Sequence, residues 1–172
     1  MVKIKAVISN ENISSNTKPA FELFSSQRFG EKIGEKIQYS LVETLYLIEN
    51  KKLELYTTKK KLSEKEILKL FEKLDKKFNI KYAVFADLRK KGYIVKTALK
   101  FGAEFRVYSP GSIIGEQHAK WVLFPVSEIG EFTWHDFSAK NRVAHSTNKN
   151  LLIGIVDEEQ DVSYYEIKWT RP

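Results

Sequence analysis

The run LLIGIV at residues 151–156 has no polar side chain at any position. It reads as a strand buried on both faces, because successive side chains of a strand point to opposite sides and neither side here favours water. Such a strand needs neighbours in a sheet and cover on each face of that sheet. The requirement points to a central sheet flanked by helices.

The surrounding segments fit both roles. EFRVYSP and AKWVLFPV read as two more strands with the loop GSIIGEQ between them, and VSYYEIKW as a last strand reached through the tight acidic turn DEEQD. KYAVFADLRKKG reads as a helix ended by Gly92, and YIVKTALKF as strand or helix up to Gly102. Ser138 is placed to cap a helix through AKNRVAHSTNK. Before residue 80 the texture differs. Residues 1–27 suggest short strands and turns, Leu41, Leu45 and Ile48 give a helix with one apolar stripe, and KLELY gives a short strand. Ser63 with Glu66 three residues later is a capping box for a helix that buries Ile67, Leu70, Phe71 and Leu74. The expected architecture is α+β, with a small mixed domain at 1–79 and a C-terminal α/β domain at 80–172 built on a mixed sheet flanked by helices.

Composition narrows the chemistry. A length of 172 residues suits one large domain or two small ones, and 42% hydrophobic with 30% charged residues describes a chain with a core and a wet exterior. The absence of cysteine removes disulfide frameworks, thiol nucleophiles and thiolate zinc sites. Three histidines without paired spacing argue against zinc as well, so neither a metal nor a cofactor is expected. No stretch approaches 18 apolar residues and the start lacks a secretory pattern, so the expectation is a cytoplasmic protein with no membrane partner. A net charge of +7 suits a polyanionic partner, although lysine and glutamate also accumulate together on heat-adapted surfaces.

Three polar residues stand beside the apolar runs. Tyr108 ends a strand before the turn SPG, His118 closes the loop that follows, and Lys149 sits between a helix and LLIGIV. Each has an ordinary explanation: a rim tyrosine, an exposed loop histidine, and a lysine facing a helix C-terminus. As a set they match the needs of metal-free RNA cleavage. That reaction takes a base for the 2′-hydroxyl proton, a cation for the charged transition state and an acid for the leaving 5′-oxygen. A phenol is a poor base at neutral pH unless a nearby ammonium lowers its pKa, and Lys149 can serve both needs. His135 and His145 are rivals for the acid, with His145 read as structural. Arg142 lies seven residues before Lys149, two helical turns, and is expected to project from the same face toward the same substrate.

The block from Tyr82 to Tyr108, with KTALKFGAEFRVY at its end, and the block RVAHSTNKNLLIGIVD resemble the two signatures of the archaeal tRNA-splicing endonucleases. SLVETLYLIE is similar to the leading helix of that family, so the resemblance covers roughly residues 28–172. The resemblance implies a metal-independent cut of precursor tRNA at exon–intron junctions within a bulge–helix–bulge fold. The products then carry 2′,3′-cyclic phosphate and 5′-hydroxyl ends. It puts the family's tyrosine base on Tyr108, its histidine acid on His118 and its lysine on Lys149. Two flat side chains that hold a bulge base fall on Arg142 and Trp169. An acidic subunit-docking loop falls on Asp157, Glu158, Glu159 and Asp161, for which the ordinary explanation is a hairpin turn. VSYYEIKW is apolar enough for the strand edge by which such subunits pair. The implied assembly is a homotetramer, or a heterotetramer with a related structural subunit. Two other readings stand beside this one. A noncatalytic RNA-binding subunit has intact Tyr108, His118 and Lys149 against it. A metal-dependent nuclease needs clustered carboxylates at a site, whereas these four crowd one turn.

Overall fold

A computed structural model describes residues 2–113 and 115–171. The chain divides into two compact units, Met1–Asn79 and Ile80–Pro172. In the first, the elements run β1 (Ile4–Ser9), β2 (Asn12–Ser15), α1 (Lys18–Gln27), β3 (Glu31–Ile33), β4 (Lys36–Tyr39), α2 (Leu41–Glu49), β5 (Leu53–Tyr56) and α3 (Glu64–Leu74). The strands form one sheet in the order β3-β4-β2-β1-β5. Its pairs are antiparallel except β1 with β5, which is parallel.

Two of these helices depart from expectation. Residues 18–27, read as strand or turn, form α1, with Thr17 as N-cap and a proline in the first turn. The helix buries only Ala20, so it offers no apolar stripe to read. In contrast, α2 buries Val42, Glu43, Thr44, Leu45, Leu47 and Ile48, more than the one stripe expected. Glu43 tolerates burial because its carboxylate accepts from Ser40 N at 3.1 Å, Ser40 Oγ at 2.9 Å and Gly30 N at 2.9 Å. For α3 the Ser63–Glu66 capping box forms as expected, over buried Ile67 and Phe71.

The second unit follows with α4 (Phe78–Lys90), β6 (Ile94–Thr97), a 3₁₀ turn at Leu99–Phe101, β7 (Phe105–Tyr108), β8 (Trp121–Ser127), α5 (Trp134–Ser146), β9 (Asn150–Val156) and β10 (Val162–Ile167). Its sheet order is β10-β9-β8-β7-β6. The β8–β9 pair is parallel, since α5 carries the chain back across the sheet, and the other pairs are antiparallel. LLIGIV lies inside this sheet with a neighbour on each side. On one face Val122, Phe124, Leu151 and Ile153 pack with Ala144 of α5. On the other, Val84 of α4 closes on Gly154, where a Cβ would meet its methyl groups at 3.1 and 3.3 Å. Both units are therefore α+β, and the second has the mixed sheet flanked by helices.

α5 begins earlier than expected. Thr133, not Ser138, is the N-cap, and it shares a capping box with Asp136: Thr133 Oγ1 donates to Asp136 at 2.5 Å and accepts from its N–H at 3.1 Å. Ser138 lies inside the helix. Among the described residues, no helix is long and apolar enough to cross a membrane.

Candidate active site

The β-ladders of the second unit bring four separated parts of the sequence to one end of the sheet. Tyr108 is the last residue of β7, and Lys120, just before β8, donates its N–H to Val107 O at 2.9 Å. Asn150, the first residue of β9, donates its N–H to Lys120 O at 3.1 Å. On the far side Ile167 of β10 pairs with Leu151, so continuing the register two residues sets Trp169 opposite Lys149. Tyr108, Lys120, Lys149 and Trp169 thus occupy neighbouring positions on four adjacent strand ends. At about 4.8 Å between strands, Tyr108 and Lys149 lie two strands, or roughly 10 Å, apart. Of the four, Lys120, Lys149 and Trp169 line one hollow together with Asn141, Ala144 and His145 of α5.

Burial and bonding differ along this row. Tyr108 is only 6% exposed, so it is no wet rim tyrosine, and its hydroxyl makes no hydrogen bond among the described residues. His118 lies two residues before Lys120, exposed, in the loop that joins β7 to β8; Ile114 of that loop lies outside the described residues. Lys149 is half-buried, and its ammonium donates to Thr147 O at 2.9 Å. That bond is the ordinary role of a lysine at a helix C-terminus, and it uses one of three donors. Lys149 is not on the helix, however. α5 stops at Ser146, Asn148 takes φ +53°, and Lys149 N–H returns to Ala144 O at 2.9 Å. The expected shared helical face of Arg142 and Lys149 therefore does not exist, because a left-handed residue redirects the chain between them.

A hollow of about 470 Å³ opens beside α5, lined in part by His145, Asn148, Lys149, Lys168 and Trp169. Tyr108, His118 and Arg142 lie outside its lining. Lys120, another lining residue, stands between Tyr108 and Lys149 and escaped the sequence reading. Its importance depends on strand register, which no local pattern announces. The lining includes three lysines and no carboxylate, which suits an anionic ligand. Glu166 is a counter-charge to Lys168 and Lys120. Burial opposes its charge, but the hydrogen bond from Asn150 at 2.6 Å and the nearby Lys168 and Lys120 hold its carboxyl below the ordinary value. Trp169 packs against His145 with ring centroids 4.7 Å apart and the planes tilted by 38°, and among the described residues it has no ring contact with Arg142.

The acidic turn lies at the other end of the sheet. β9 is seven residues long, so Asp157 stands roughly 26 Å from Lys149 along the strand. Asp157 is used within the turn, its carboxylate accepting from Glu159 N at 3.0 Å and Asp161 N at 2.8 Å. Glu158, Glu159 and Asp161 are exposed. Among the described residues, no three His, Asp or Glu side chains converge as a metal site.

The family model described as tRNA intron endonuclease, catalytic C-terminal domain, matches residues 78–164, and that of the tRNA intron endonuclease N-terminal domain matches residues 4–68. The tRNA-splicing endonuclease of Thermococcus onnurineus is 42% identical over 92% of this chain and 91% of its own. The protein of that name from Nanoarchaeum equitans is 46% identical over 77% of this chain and 88% of its own, and that from Pyrococcus abyssi 38% over 98% and 97%. With both domains matched in order and relatives aligned nearly end to end, the chain belongs to the tRNA intron endonuclease family.

Proposed function

We propose that this endonuclease cuts precursor tRNA at the exon–intron junctions of a bulge–helix–bulge fold, without a metal ion, and leaves 2′,3′-cyclic phosphate and 5′-hydroxyl ends. The observation that carries the reading is the row of strand ends, where a buried phenol and a half-buried ammonium stand two strands apart below a histidine-bearing loop. In this reading Tyr108, acting as the phenolate, takes the proton of the 2′-hydroxyl and becomes the phenol as the 2′-oxygen attacks the neighbouring phosphorus. Lys149, whose ammonium makes one hydrogen bond among the described residues, stabilises the negative charge that builds on the phosphoryl oxygens. His118 delivers a proton to the departing 5′-oxygen, and its exposed loop lets it approach from the solvent side. The ring 2′-O–P bond forms as the P–O5′ bond breaks, which accounts for both product ends. Arg142 and Trp169 hold a bulge base by stacking.

Two junctions call for two active sites, and we assign them to a homotetramer or a two-plus-two heterotetramer with a related subunit. β10 at the sheet edge and the exposed acidic turn support such contacts.

The test is single-turnover cutting of a bulged precursor tRNA by saturating enzyme in excess chelator, with the product ends mapped. Full activity in chelator and cyclic phosphate ends are expected. His118→Ala should slow the cut by about 10²–10⁴-fold with RNA affinity unchanged, the usual cost of losing a general acid. Wild-type rates in that variant would remove His118 from the mechanism and leave His135 or His145 as the acid. Chelator-sensitive cutting would overturn the metal-free reading.

A further inference from the structure

Trp169 lies two residues past the end of β10, where no ladder holds the backbone, and it is 60% exposed. Its indole makes no hydrogen bond among the described residues, and its one ring contact there is with His145, at 4.7 Å and 38° between planes. His145 is itself exposed, on the last turn of α5, and both rings line the hollow that Lys149 borders. The sequence offered His145 only as a structural residue of the helix or a rival acid. Its position suggests a third role.

We propose that His145 is a positioning residue for base stacking: its imidazole backs one face of the Trp169 indole and keeps the other face open to a flipped base. The proposal rests on the reading of Trp169 as a stacking residue. Arg142 and His145 are three residues apart on α5, one turn, and lie on one side of the helix. An indole seated on His145 therefore stands beside the turn that carries Arg142. A base gripped by Arg142 meets an indole already in place, in the order imidazole, indole, base, guanidinium. A side chain ordered before binding loses less freedom when the ligand arrives, and an exposed indole on an unpaired segment has much to lose without such a support.

The experiment uses the full chain in its native assembly, labelled with 5-fluorotryptophan so that its three tryptophans give three fluorine resonances. His145→Ala should shift and sharpen the Trp169 resonance, identified with Trp169→Phe, and leave those of Trp121 and Trp134 in place. The enzyme concentration for half-saturation of bulged RNA should rise about tenfold, a part of the stacking contribution, while the rate at saturation changes less than about threefold. His145→Phe keeps a flat ring and should restore both readings. His145→Ala in a Trp169→Ala background should add nothing, since the two residues serve one contact. An unmoved Trp169 resonance in His145→Ala, or normal half-saturation in that variant while Trp169→Ala is impaired, overturns the proposal. Normal cutting by Trp169→Ala sinks the stacking reading itself, and the fluorine spectrum then reports separately whether His145 holds the indole.

Discussion

Gly30 is dictated by both space and backbone. It takes φ +74°, and a Cβ there would stand 2.4 Å from Ile37 Cγ2 and 2.9 Å from Gln38 O. Its N–H also donates to the buried Glu43 carboxylate. Gly30→Ala is therefore expected to destabilise the first unit by more than about 2 kcal/mol, read as a fall in the denaturant midpoint. An unchanged midpoint would mean that β4 yields without cost. At Arg142 the question is shape against charge. Lysine retains the charge and deletes the stacking plane, so Arg142→Lys should cut bulged RNA nearly as poorly as Arg142→Ala. Near-normal cutting by Arg142→Lys would make it a phosphate anchor. Tyr108, His118 and Lys149 were legible as unusual neighbours of apolar runs, and so was His118 as an exposed loop histidine, but the burial of Tyr108 was not, because it depends on what packs over the strand end.

Among the elements, α3 was the most legible, since a capping box and an apolar stripe are both local. The same cap makes a pH prediction. Glu66 is held down to about 2 by its hydrogen bond from Lys60, then by the backbone and hydroxyl of Ser63. A depressed carboxyl stabilises the fold fully above its ordinary value near 4.5 and loses that contribution as pH falls toward 2. Thermal midpoints should therefore drop across that window, and Glu66→Gln should flatten the drop; equal slopes in both proteins would exclude Glu66 as a source. α5 was half legible. Its C-terminal end escaped although Asn148 carried a mark, since asparagine, after glycine, is a residue that takes the left-handed region at helix ends. Its N-terminal end escaped because Thr133 with Asp136 is a less familiar box than serine with glutamate.

At the scale of the whole molecule, the second unit presents its row of strand ends and its acidic turn at opposite ends of one sheet. A turn that only closes a hairpin needs Asp157, whose carboxylate holds it, and not the charges of its neighbours. Reversing Glu158, Glu159 and Asp161 to lysine should leave the melting midpoint of the subunit nearly unchanged, as surface changes usually do within about 0.5 kcal/mol. The assembled mass by light scattering should fall, since complementary charge sets register between subunits. Unchanged mass would leave the turn a hairpin and nothing more.

The amino-acid sequence determined the apolar runs, the turn at residues 157–161, the cap of α3 and the chemical kinds available, because each depends on residues close in the chain. A buried strand such as LLIGIV requires cover on both sides wherever it lies. Only the tertiary structure decided which strands are neighbours, and with them the row from Tyr108 through Lys120 and Lys149 to Trp169. Register is settled by how whole faces pack, and a slip of one residue would turn every one of these side chains to the opposite face. The contact of His145 with Trp169 joins a helix end to a chain end more than twenty residues later, and packing alone brings them together.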